Sequence, residues 1–223
     1  MFEKVPQKIP DPRALVDACM LGIKEEEKFY GPAFTPRFIK SALNFVARKI
    51  GEKPPENIKT LDQLADYLVS ISDKYPIPAN AIPYAGYKME KLFEGQVGVG
   101  TRVSAAGASR NIGKRMINKE INVDTEDILS KYRQATIAMK VPHEELGYKR
   151  NTDGTIDILW KCYIREACQL ALDDGLLKRP GGGLQCGSCQ FLCQLFKQTT
   201  GHECDYDLLE INKPQCITRI YIL

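Results

Sequence analysis

Residues 147–164, GYKRNTDGTIDILWKCYI, decide how the C-terminal part of this chain is read. Asn151–Gly154 is a turn sequence between two extended runs, the usual chemistry of a β-hairpin. In the second run Ile156, Ile158, Trp160, Cys162 and Ile164 alternate with Asp157, Leu159, Lys161 and Tyr163, a period of two that gives a strand one apolar face. Working outward, REACQLALDDG (165–175) predicts a short helix, RPGGG (179–183) a loop, and CGSCQFLCQLFKQTTG (186–201) a helix ending at Gly201. The runs 203–211 and 216–223 predict a closing hairpin around Asn212–Pro214.

Upstream of the hairpin the period is helical. Asp11 can cap a helix with Pro12 at its first position, and Leu15, Val16, Cys19, Met20 and Ile23 form its stripe before a charged tail, KEEEK. Thr35 and Pro36 start a second helix carrying Phe38, Ile39, Leu43, Phe45 and Val46, which Gly51 and Pro54–Pro55 end. A third is expected over 60–74. Residues 75–83, YPIPANAIP, hold three prolines and read as a linker. They divide the chain into an N-terminal helical extension, 1–75, and a second unit, 84–223. Within that unit RVSAAGASRNIGKRMINK (102–119) predicts a helix rich in small residues, which let a helix or a ligand approach the backbone closely, and a further helix is expected over 123–139. Residues 1–12 read as an extended arm.

Composition narrows the function classes. Hydrophobic residues are 43% and charged residues 26% of 223, ordinary for a folded chain, and a scattered net charge of +3 gives nucleic acid no footprint. No apolar stretch is long enough for a membrane span, and the first residues carry no signal-peptide core. The expectation is a soluble cytoplasmic protein. There is no Ser-His-Asp order, no paired-carboxylate motif and only two histidines, which leaves catalysis undecided.

Cysteine is the unusual residue. Seven of eight follow residue 160. Cys186, Cys189 and Cys193 are spaced i, i+3, i+7 on one helical stripe, and Cys204 or Cys216 could add a fourth thiolate from the final strands. Such a set points to a metal centre, zinc or an iron–sulfur cluster, which spacing alone does not separate. Asp207 or Glu210 could replace one thiolate. The competing readings are small buried apolar residues and a redox-active CGSC at a helix start.

From about residue 85 to the end the chain resembles the 4-vinyl reductase domain family, often labelled hydrocarbon-binding proteins and related in fold to subunits of a vesicle-trafficking complex. The resemblance is carried by RVSAAGASRNIGKRM, ILWKCYI, CGSCQFLCQLFKQTTG and CITRIYI. It implies an α+β domain with helices packed on one face of a twisted antiparallel sheet, an apolar pocket between the layers, and a homodimer, for which the helix at 35–50 offers apolar surface. It implies zinc on Cys186 and Cys216. The family's acid-x-x-Cys pair is missing from CDYDLLEINKPQC, which makes Cys189 and Cys193 the substitutes. The pocket is expected between the small-residue helix, with Ala105, Ala106, Gly107 and Arg110, and the strand face bearing Ile158 and Trp160. Two functions follow: a binding module for a small hydrophobic or aromatic ligand with a cysteine-ligated metal, or an iron–sulfur or thiol-dependent accessory protein of a redox system.

Overall fold

The structure is a computed structural model that describes residues 3–6, 11–97, 100–117, 132, 143–177, 185–211 and 215–223. The helix expected over 123–139 (Tyr132 excepted), the RPGGG loop and the turn at Asn212–Pro214 lie outside them.

The chain is α+β. Helix α1 spans Pro12–Tyr30, α2 Phe34–Ile50, α3 Leu61–Ser70, α4 Ala81–Val97, α5 Gly100–Ile117, α6 Arg165–Asp173 and α7 Gly187–Thr200. The strands are β1 Glu3–Pro6, β2 His143–Arg150, β3 Ile156–Cys162, β4 Cys204–Ile211 and β5 Cys216–Ile222, antiparallel throughout in the order β1-β2-β3-β5-β4. Part of the arm is thus an edge strand, Val5 opposite Leu146.

Local chemistry explains most boundaries. Asp11 accepts from the Ala14 N–H at 2.8 Å with Pro12 at the first helical position, an N-cap worth about 1 kcal/mol. Thr60 and Gln63 form a reciprocal capping box on α3, and Gly201 closes α7 in the left-handed region at φ 78°. The second helix differs from expectation. It begins two residues earlier than Pro36, at Phe34, and Thr35 does not cap it but donates its hydroxyl to Glu27 on α1. The third ends at Ser70, four residues short of the expected Lys74.

Register places the alternating residues of β3 as the sequence requires. Ile156, Ile158 and Trp160 face the same side as Ile220, Thr218 and Cys216 on β5; the three β3 residues and Ile220 pack with α5 and α7 into one core, with Cys216 at its margin and Thr218 buried beside it. The opposite face carries Asp157, bonded in a two-pronged pair to Arg219 at 2.7 and 3.0 Å.

A second, all-helical core joins α1, α2, α3 and α4 to α6. It runs straight through the segment read as a linker. Pro78–Asn80 forms a buried 3₁₀ turn, and Ala81 opens α4. Asn80 is 1% exposed, and its Oδ1 accepts from the Ala167 N–H at 3.0 Å, capping α6 from a distance. On the surface Lys49 reaches Glu166 at 2.6 Å and Tyr84 donates to Asp174 at 2.5 Å, fastening α2 and α4 to α6. The prolines do not end regular structure here: Pro78 opens the 3₁₀ turn and Pro83 stands in the first turn of α4, where a missing N–H costs nothing. The α2 stripe is also consumed internally. Phe38, Ile39, Ala42, Phe45 and Val46 are buried within the chain, so this face is not spare surface for a dimer. Among the described residues no helix is long and apolar enough to cross a membrane.

Candidate ligand cavity

Between the two cores lies a cavity of about 200 Å³. Its walls come from four directions. Helix α1 gives Cys19, Gly22, Ile23 and Glu26, and α4 gives Ile82, Gly86, Tyr87 and Glu90. Helix α5 gives Ser104, Ala105, Ala108 and Ile112, while the sheet and the start of α7 add Trp160, Cys162, Cys186, Ser188, Phe191 and Cys216. Tyr132 packs edge-on to Trp160, ring centroids 5.8 Å apart, and forms part of the same wall. Trp160 is held by a buried hydrogen bond, its Nε1–H donating to Thr218 Oγ1 at 2.7 Å. The indole is therefore satisfied while its ring faces the cavity.

Of the five residues expected to bind ligand, Trp160 lines this space and the others do not. Ile158 is wholly within the sheet-side core. Ala106, Gly107 and Arg110 lie off the cavity wall, which Ala105, Ala108 and Ile112 supply. The room at Gly107 is taken by α1, since a Cβ there would stand 2.4 Å from Cβ and Cγ of Glu25. Gly22 makes the reciprocal approach, with Ser104 Oγ 2.3 Å from the position of its absent Cβ. Small residues thus serve a close α1–α5 crossing as well as the cavity, and sequence spacing could not divide the two roles. Arg110 is exposed and 3.8 Å from Glu25.

The expected metal ligands are distributed, not convergent. Cys186 precedes α7 as its N-cap and lines the cavity together with Cys216. Cys189 is fully buried, its thiol bonded to Cys186 and facing Thr218, and burial pushes it far from ionisation. Cys193 turns to Cys204, and its hydrogen bond holds the Cys204 thiol below the ordinary range. The reason is helical rise. Seven residues advance about 10 Å along a helix axis, whereas thiolates about 2.3 Å from one zinc lie within about 4 Å of each other. Among the described residues no three His, Cys, Asp or Glu side chains are gathered closely enough to hold a metal ion. The Cys186–Cys189–Cys193–Cys216 quartet therefore does not fit a single zinc as these residues stand. Asp207 instead accepts from the Tyr221 hydroxyl at 2.9 Å on β5.

A different thiol set meets the cavity: Cys162, Cys168, Cys186 and Cys216 at one end, with Cys19 on α1. Desolvation raises the thiols of Cys19 and Cys168 to about 12 and that of Cys216 to about 11. These groups are neutral at pH 7 and behave as soft, weakly polar walls. The Tyr87 hydroxyl lies 3.7 Å from Cys168 Sγ.

Sequence reasoning missed the acidic end. Glu26 and Glu90 are 1% and 6% exposed. Burial first, and then the charge of Glu90, push the Glu26 carboxyl well above the carboxylate range, with Ser104 acting slightly the other way. Neither Glu26 oxygen has a partner in hydrogen-bond geometry among the described residues. The signal was present in the spacing. Cys19, Ile23 and Glu26 stand at i, i+4, i+7, so one acid of the KEEEK tail belongs to the apolar stripe.

Fold and cavity together define a class: an α+β domain with an apolar chamber between a helical layer and a sheet. No family model matches the chain, and no curated protein matches it. Among solved structures the chain is similar to an H-NOX protein from S. oneidensis in the Fe(II)NO ligation state. The TM-score is 0.39, with 8% sequence identity, covering 91% of this chain and 98% of that one.

Proposed function

We propose that the protein binds a small hydrophobic or aromatic molecule in the chamber between its helices and its sheet. The supporting observation is the chamber itself, with the aromatic rings of Trp160, Tyr87, Tyr132 and Phe191 on its walls beside the small side chains of Ala105 and Ala108. Concave, largely apolar sites with a few polar groups are where small ligands bind. Helix α1 supplies one wall, so the N-terminal helices belong to the binding unit. The proposal places the chain in the cytoplasm, where thiols such as Cys162, Cys168 and Cys216 stay reduced.

The test uses Trp160, the only tryptophan. Apolar and aromatic compounds that enter should shift or quench its emission and raise the melting temperature. A broad panel that does neither would remove this function.

The thiols favour one alternative, an iron–sulfur or thiol-dependent accessory protein of a redox system. Its thiol chemistry would draw on Cys162, Cys168, Cys186 and Cys216 at one end of the chamber, no three of which stand close enough to hold a metal ion. Purification without oxygen tests it: a brown protein supports the cluster, and a colourless one rejects it.

A further inference from the structure

The two carboxyl groups of the chamber have no role in a purely apolar site. Glu26 is 1% exposed, lines the cavity and has neither oxygen hydrogen-bonded among the described residues. Leaving a polar group unpaired in apolar surroundings is costly, and buried carboxylates are normally matched by a donor or a cation. Glu90, from the facing helix α4, borders the same space. Among the described residues the charged side chains lining the chamber are these two and Arg165. Arg165 follows β3 and donates its Nη1–H to the Cys162 carbonyl at 3.3 Å, at the thiol end. The carboxyls thus come from α1 and α4, while aromatic and thiol side chains reach the chamber from the sheet (Trp160, Cys162, Cys216) and from α4, α6 and α7 (Tyr87, Cys168, Phe191).

We infer that the ligand of this chamber carries a protonated amine, bound by Glu26 and Glu90, on an apolar body that extends toward Trp160. The inference rests on the binding function proposed above and specifies its ligand class. An ammonium group offers three donors, which match the open acceptors of Glu26, and its charge complements a buried carboxyl that has another acid, Glu90, beside it. In a site this dry, opposite charges attract strongly. An alcohol of the same shape supplies a donor but no charge. A carboxylate ligand would add a third acid and be repelled. The desolvation that keeps Glu26 protonated in the free protein is offset when the amine arrives, so binding expels a proton.

The experiment titrates the full chain with three probes of similar shape: 2-phenylethylamine, 2-phenylethanol and 3-phenylpropionate. Calorimetry and Trp160 emission are the readouts. The amine should bind at least tenfold tighter than the alcohol, and the acid should not bind measurably. In Glu26→Gln, which keeps the side-chain shape, the amine preference should fall to within about twofold while the alcohol binds as before. Glu90→Gln should reduce the preference in the same direction, and serves if Glu26→Gln does not fold. Alcohol binding equal to or tighter than amine binding in the unaltered chain overturns the amine assignment and leaves the apolar chamber standing. So does an amine preference that survives both substitutions. Binding of none of the three overturns the chamber reading and this inference with it.

Discussion

The Oδ1 atom of Asn80 accepts a hydrogen bond from the Ala167 N–H at 3.0 Å, tying a proline-rich turn to the first turn of a helix 87 residues further on. Asn80 also donates to the Ile77 carbonyl at 3.0 Å. One buried amide therefore fixes the 3₁₀ turn and caps α6, and the two parts of the helical core share it.

Asn80→Ala should consequently destabilise the whole protein, since it strands the buried Ala167 N–H, a loss of about 1–3 kcal/mol. Chemical denaturation should show one transition at a lower midpoint. Two separated transitions, or unchanged stability, would mean that the segment connects independent units. Limited proteolysis gives a parallel check, because a buried turn should not be the first site cut.

Glu26 should make stability fall with rising pH. In the unfolded chain it ionises near its ordinary 4.5, and in the folded protein only at higher pH. Below the unfolded value its contribution is fully present, and it is lost as pH rises through the folded value. The groups facing it are Glu90 on α4, Tyr30 on α1 and Ser104 on α5; burial and the two acids also raise the Tyr30 hydroxyl. Glu26→Gln should be more stable than the unaltered chain at about pH 8 and show a smaller drop in melting temperature between about pH 5 and pH 8. An undiminished drop would show that Glu26 ionises normally.

Gly107→Leu should unseat α1 from α5. Its new side chain begins 2.4 Å from Glu25 Cβ and Cγ, and overpacking of this kind costs about 1–3 kcal/mol or more. Gly107→Ala should fall between the two. A melting temperature unchanged by Leu would mean that this crossing opens readily.

Among the thiols, Cys204 should react first with iodoacetamide near pH 8. It is partly exposed, and the hydrogen bond from Cys193 lowers it, while burial raises Cys162, Cys168 and Cys189. Peptide mass spectrometry of briefly labelled protein gives the order. Earlier labelling of Cys189 would contradict the described packing of α7.

The sequence made some elements readable because their signals are local. The alternation of Ile156–Cys162, the turn at Asn151–Gly154, the Asp11 cap and the Gly201 stop each depend on a few neighbouring residues. The site depended on contacts between distant segments. That Ala108 faces the chamber while Gly107 faces α1 is a matter of 100° of helical phase, fixed only once α1 is docked. Cys186 and Cys193 share a stripe but differ in height, which spacing suggests and packing separates. Glu26 was hidden in a charged run whose other members are solvated, and Asn80 among prolines that masked its burial.

The most direct measurement is a titration of the full chain with naphthalene, followed by Trp160 emission, beside the same titration of Ala108→Phe. Ala108 lines the cavity opposite the sheet, so a phenyl ring there should occupy the space that the ligand needs. The account predicts a saturable one-to-one change in the unaltered protein and none in a folded Ala108→Phe. No saturable change in the unaltered protein, or the same change in both, would contradict it.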